Sequence, residues 1–264
     1  MRLLHFLDQD ICGLMPTQPT ILLTNDDGIH SPGLKTVAEA LKEIGELYVI
    51  APDRERSAAG HSLTLHKPLR ATEVAPCWYV VDGTPTDCVT LGVMGMLKEK
   101  PHLVVSGINL GANLGDDITY SGTVSAAVEG TLLGIPAFAI SAVDSAAQDL
   151  GAAADFGARL ALLVLDRGLP RDTLLNVNVP AGAVTGVAVT RQGKRSYTEL
   201  IVEKTDPRGK TYYWIGGGEP TWELLGGTDY EAVVEGRVSI TPLHLDLTNY
   251  AATQTLKTWE ALLA

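Results

Sequence analysis

Basic charge is scarce in this sequence: 20 lysines and arginines stand against 31 aspartates and glutamates, a formal net charge of −11. A chain of that sign repels a phosphate backbone, which argues against a nucleic-acid polymer as partner. Cysteine is scarce as well. The three present, Cys12, Cys77 and Cys88, are odd in number and show no CxxC spacing. That suits a reducing, cytoplasmic location rather than a disulfide framework. No apolar run is long enough to span a bilayer, so no membrane partner is expected. Residues 1–19 are broken by Asp8 and Asp10 and carry no small-residue cleavage site. They make a poor signal peptide and are set aside as an N-terminal extension, either peripheral or upstream of a start at Met15.

What is present is organised around Ile21 to Gly33, ILLTNDDGIHSPG. A short apolar run bounded by turn residues reads as a buried strand. In an open α/β sheet, ligands lie beyond the carboxyl ends of such strands. Two adjacent carboxylates there, Asp26 and Asp27, make a hard, oxygen-rich patch suited to Mg²⁺ or Mn²⁺. Successive side chains on a regular strand point to opposite faces. The two can therefore share an ion only where the strand has broken, and Gly28 makes a break plausible.

Strands and helices then alternate. A helical period runs from Leu34 to Ile44, a strand from Glu46 to Ala51, and a hairpin or edge extension over Ser62–Thr72 and Trp78–Val81. A helix over Thr86–Leu97 follows, then a strand at His102–Ser106, a helix over Thr123–Leu133 and a strand at Ala137–Ser141. A long helix over Ala147–Asp166 and a strand at Leu174–Val179 complete the series. This pitch predicts an α/β fold with a doubly wound, mostly parallel sheet. From residue 184 the texture becomes β-rich. The expected division is an extension over residues 1–19, a catalytic core over 20–183 and a β-rich C-terminal extension over 184–264, read as an oligomerisation arm.

Three post-strand loops carry oxygen donors: Asp26 and Asp27 in the first, Ser57 in the second, Asn109 with Asn113 nearby in the third. Together they describe a hard-cation site with positions left for water. Zinc fits less well, because no His/Cys cluster accompanies the carboxylates. Ser121-Gly122-Thr123 precedes a helix. Such a sequence caps the helix, and the same free N–H groups can cradle a phosphate. His61, in the second loop, could reach a phosphate or a leaving oxygen. Cys88 reads as a small core residue. Gly107, Gly111 and Gly115 do not match a GxxxxGK[ST] loop and read as backbone freedom for a loop folding over the site. The first turn also lacks GxGxxG, which argues against a dinucleotide oxidoreductase.

The stretches TNDDGIHSPG, APDRERSAAGHS, GTPTDCV, VSGINLGANLG and SGTVSAAVEG, in this order, resemble the SurE family of metal-dependent 5′-nucleotidases and acid phosphatases. The resemblance implies a Rossmann-like core and one divalent cation per subunit. The activity it implies is removal of phosphate from nucleoside 5′-monophosphates by a metal-activated water. It places metal ligands at Asp26, Asp27, Ser57 and Asn109, with the two aspartates also catalytic. It places the phosphate site near Asn113, Ser121, Gly122 and Thr123, and implies a homodimer, often paired into a homotetramer, formed through a C-terminal β arm. 3′-Monophosphates and short polyphosphate are further candidate substrates. The competing expectation is a non-catalytic nucleotide-binding or regulatory module.

Overall fold

The computed structural model describes residues 18–143, 150–196, 201–215, 221–223 and 225–263. Most of the N-terminal extension expected over residues 1–19, and the first residues of the expected Ala147–Asp166 helix, lie outside the described residues.

The chain runs β1 (Thr20–Thr24), α1 (Pro32–Leu41), β2 (Glu46–Pro52), β3 (Ala71–Ala75), β4 (Trp78–Val81), α2 (Pro85–Leu91), β5 (Leu103–Leu110), α3 (Gly122–Leu132), β6 (Ala137–Ala142), α4 (Gly151–Arg167) and β7 (Thr173–Val179). It continues with β8 (Gly186–Val189), β9 (Arg195–Ser196), β10 (Ile201–Thr205), β11 (Thr211–Ile215), β12 (Thr221–Trp222), α5 (Asp229–Val234), β13 (Arg237–His244), α6 (Tyr250–Leu256) and α7 (Glu260–Leu263). Nine strands form one sheet in the order β3-β4-β2-β1-β5-β6-β7-β13-β8. From β4 to β7 every neighbouring pair is parallel. The chain builds outward from β1 to one side, then returns past β1 to place β5 on the other. Ligands in such sheets bind at that reversal, beyond the carboxyl ends of β1 and β5.

Both sheet faces are covered, which explains the continuous apolar runs of the central strands. Alternate residues point to opposite sides. Ile21, Leu23, Leu103, Val105, Phe138 and Ile140 join the core that includes Leu34, Val37, Leu160 and Val164 of α1 and α4. Leu22, Ile50, Val104 and Ala139 join the core that includes Cys88 and Val89 of α2 and Val124, Ala126 and Ala127 of α3. The small residues of α3 do let it lie close on the sheet: a Cβ on Gly130 would sit 2.9 Å from Val104 Cβ.

Among the described residues, three boundaries differ most from expectation. Residues 62–70 form no strand, because their polar backbone is tied elsewhere: Thr64 N–H donates to Asp87 Oδ1 at 2.8 Å and Arg70 N–H to Asp82 Oδ1 at 2.8 Å. Only Ala71–Ala75 pairs with β4. The expected Thr86–Leu97 helix is α for its first part and widens to a π turn over Gly92–Met96, where two glycines weaken α-helical preference. The third strand runs past Ser106 to Leu110, with an irregularity between Gly107 and Asn109. Asn109 therefore stands at a strand end rather than in a loop.

Beyond residue 184 the chain divides. β13 pairs antiparallel with β7, and β8 pairs with β13, so both extend the core sheet. β10 and β11 form a separate two-stranded hairpin.

Candidate active site

β1 ends at Thr24 and the backbone then turns. Asn25 Nδ2 donates to Gly28 O at 3.1 Å, and Gly28 takes φ +91°, a conformation only glycine adopts readily. This break after Asp27 supplies the condition under which neighbouring aspartates can face one space. Asp26 is buried, and Asp27 is half-buried.

The other loops close on this turn. Arg56 N–H donates to Asp26 O at 2.7 Å, which holds the loop after β2 in place. Leu110 N–H approaches Asp27 Oδ2 at 3.4 Å, which brings the end of β5 alongside. Thr123 Oγ donates to Asp26 Oδ1, so α3 meets the turn with its first residues. Gly122 makes that meeting possible: a Cβ there would lie 2.8 Å from Asp26 Cβ and 2.9 Å from Oδ2. Ser121 caps the helix, accepting from Val124 N–H at 3.1 Å. Its own O–H stays available as a donor, beside the N–H groups of the first turn that have no partner within the helix.

The electrostatics are those of a site built for positive charge. Burial raises the pKa of Asp26, only partly offset by the Thr123 hydrogen bond, and Glu55 raises it further. Asp27 is pushed up to about 6, first by burial and then by the Asp26 carboxylate. Among the described residues no lysine, arginine or histidine forms an ion pair with either aspartate. Two crowded carboxylates with no organic counter-charge, flanked by neutral oxygens, fit a hard divalent cation. No group of three His, Cys, Asp or Glu side chains suited to a metal occurs among the described residues, so the neutral oxygens would have to complete the ligand set.

The Survival protein SurE family model matches residues 21–199. The chain belongs to the SurE family. It is 61% identical over 244 residues to 5′-nucleotidase SurE of Geobacter metallireducens, covering 91% of this chain and 97% of that protein. It is 60% identical to 5′-nucleotidase SurE of Geobacter sulfurreducens, covering 91% and 93%. The crystal structure of the SurE protein from Aquifex aeolicus superimposes with a TM-score of 0.83 at 50% identity, covering 92% of this chain and 100% of that one. The doubly wound α/β fold is thus the SurE fold.

Against that family frame, the remaining expected residues fall into distinct places. Asn109 is half-buried at the end of β5, its Nδ2 donating to Gly111 O at 2.8 Å, so its oxygen is the atom free of that bond. Ser57 is exposed on the second loop, where its hydroxyl donates to Glu55 Oε1 at 2.5 Å. Asn113 is engaged in a buried knot. Its N–H donates to Asn178 Oδ1 at 2.9 Å and its Nδ2 to Ser141 Oγ at 2.9 Å. Its carbonyl accepts from Asn176 Nδ2 at 2.8 Å and Asn178 Nδ2 at 2.9 Å. The knot uses the Asn113 backbone N–H and one of the two Nδ2 hydrogens, and so fixes the shape of the third loop. Gly111 and Gly115 take positive φ beyond β5, as a folded-back loop requires, whereas Gly107, also at positive φ, lies within β5 at its irregularity rather than in a loop.

His61 turns its Nε2 to Glu129 Oε2 at 2.9 Å, and Glu129 Oε1 accepts from Thr90 Oγ at 2.8 Å. It lines a cavity of about 610 Å³ that runs beside Val124, Ser125 and Val128 of α3 and does not include Asp26 or Asp27. His30 and His66 are exposed. Cys88 is fully buried, and burial pushes its thiol up, as suits a core residue. The sequence reading passed over Glu55, Asn176 and Asn178. The asparagines carried a signal, since two amides at i and i+2 of an apolar strand share one buried face.

Proposed function

We propose that this chain is a metal-dependent 5′-nucleotidase, with Asp26 and Asp27 as the anionic ligands of one Mg²⁺ or Mn²⁺ and Asn109 and Ser57 as neutral ligands. The observation that carries the proposal is the carboxylate pair without an ion-pair partner among the described residues, in which buried Asp26 lies against the N-terminus of α3 at Gly122 and half-buried Asp27 stands beside it. When bound, the cation supplies Lewis-acid polarisation of the phosphoryl group and lowers the pKa of water. The first-turn N–H groups of α3 and the Ser121 hydroxyl bind the phosphoryl oxygens and the charge that develops on them. The Thr123 hydroxyl fixes the orientation of Asp26. Asp27, the more exposed carboxylate, is placed to orient the attacking water and accept its proton.

Membership of a family whose relatives are named 5′-nucleotidase supports the substrate class. The exposed β10–β11 hairpin, with Tyr213, Trp214 and Ile215 at 60%, 62% and 82% exposure, supports self-association, as a homodimer or a homotetramer, through this arm. The deciding experiment is phosphate release by chelator-stripped protein from 5′- and 3′-nucleoside monophosphates and short polyphosphate, each with and without added Mg²⁺ or Mn²⁺. Release from the 5′ series that needs the metal is expected. No release under any condition, from folded protein, would leave the site as a nucleotide-binding module.

A further inference from the structure

Asp229 opens α5 more than a hundred residues after the candidate site, yet it is fully buried and reaches back to it. Its Oδ2 accepts from Gly115 N–H at 2.9 Å, while Oδ1 accepts from Gly193 N–H and Tyr230 N–H, both at 2.8 Å. Gly115 begins the 3₁₀ turn Gly115–Thr119, which leads directly to Ser121. Further contacts fall on the same turn. Gln192 Nε2 donates to Gly115 O at 2.9 Å, Arg195 N–H approaches Asp116 Oδ2 at 3.3 Å, and the Arg195 guanidinium pairs with Asp117.

The fit is close on both sides of the carboxyl. A Cβ on Gly193 would lie 2.7 Å from Asp229 Oδ1, and one on Gly115 would lie 2.7 Å from the Trp222 ring. Trp222 in turn stacks on Tyr230, with ring centroids 4.5 Å apart. The turn itself transmits position forward: Tyr120 N–H donates to Asp117 O at 3.0 Å and Ser121 N–H to Ile118 O at 3.3 Å. A shift at Gly115 therefore moves Ser121 and the first turn of α3.

We infer that Asp229 is a positioning residue for the phosphate-binding end of α3. By gripping Gly115 and Gly193 together, it makes the C-terminal extension the support that sets where Ser121, Gly122 and Thr123 stand relative to Asp26. The inference rests on the proposed phosphatase reading for its kinetic consequence, but its structural consequence stands apart from turnover.

Three variants test it in the full-length chain. Asp229→Asn keeps the shape but turns one oxygen into a donor facing an N–H, so either Gly115 alone or Gly193 and Tyr230 together lose their acceptor. Asp229→Ala removes all three bonds, and Gly193→Ala pushes on the carboxyl from the extension side. With a nucleoside 5′-monophosphate and with p-nitrophenyl phosphate, kcat/KM per folded molecule should fall about 10- to 100-fold, alike for both substrates. Mn²⁺ affinity, measured by calorimetry, should stay at the wild-type value. Amide hydrogen exchange should show lost protection from Gly115 to Val124, with β1 and β5 unchanged. Wild-type kcat/KM with only a lowered melting temperature would overturn the positioning role. So would loss of protection confined to residues 191–195 and 229–234. If Asp229→Ala does not fold, the other two variants decide. If the wild-type chain releases no phosphate, the proposed function fails and the exchange pattern alone judges Asp229.

Discussion

Asp27 holds its proton up to about pH 6 in the metal-free chain, whereas an unfolded aspartate releases it near 3.8. Between those values the folded state binds more protons than the unfolded one, so metal-free stability falls as pH rises through that window. Asp27→Asn should therefore raise metal-free stability at neutral pH. The gain should be on the order of 1–2 kcal/mol after discounting for the carboxyl's partial exposure, read from denaturant midpoints. The same variant should lose phosphate release, and wild-type turnover at saturating metal would sink the ligand assignment. A metal must displace the proton, so Mn²⁺ affinity should drop about fivefold from pH 6 to pH 5. A flat calorimetric profile would show that Asp27 is not a ligand. Gly122→Ala tests geometry rather than charge: its Cβ would press on Asp26 Cβ at 2.8 Å, and kcat/KM should fall about 10²-fold with the fold intact.

At the scale of elements, the GTPTDCV stretch is a local fold signal. Thr84 accepts from Asp87 N–H at 3.0 Å and Asp87 Oδ2 accepts from Thr84 N–H at 2.8 Å, a capping box that starts α2 behind Pro85. Asp87 also accepts from Thr64 Oγ at 2.6 Å, which stitches the otherwise irregular 62–70 segment to that helix. The third loop is pinned in the same manner by tertiary partners, at Asn113 by Asn176 and Asn178 and at Gly115 by Asp229. Asn178→Ala would leave the buried Asn113 N–H without its acceptor, at a cost of about 1–3 kcal/mol. Thermal melts should show that loss, and an unchanged melting temperature would mean the knot contributes little.

At the scale of the whole molecule, the sheet reversal between β1 and β5 brings carboxylates, amide and helix terminus to one edge. A cation that binds only the folded chain should stabilise it by about 2.7 kcal/mol at a hundredfold excess over Kd, raising the melting temperature by several degrees. Asp26→Asn should show no such rise. The β10–β11 hairpin lies off the main sheet and exposes aromatic and aliphatic side chains. Trp214→Lys with Ile215→Lys should shift the mass seen by light scattering toward the monomer while leaving the melting temperature of the core nearly unchanged.

The sequence by itself determined the alternation of strands and helices, the doubly wound sheet, the Asp26–Asp27 turn and the cap at Ser121. Each depends on residues close together in the chain: apolar period, turn chemistry and helix-start signals. It also placed Cys88 in the core, since a small apolar residue within a helical period has one natural destination. Only the tertiary structure decided that Asn113 belongs to a buried amide knot, that Gly122 must lack a side chain for Asp26 to approach, and that β8 and β13 continue the core sheet. It alone joined Asp229 to Gly115. Such contacts are settled by which distant surfaces meet, and a hydrogen-bond donor and its acceptor that meet across a hundred residues leave no periodic trace in the chain.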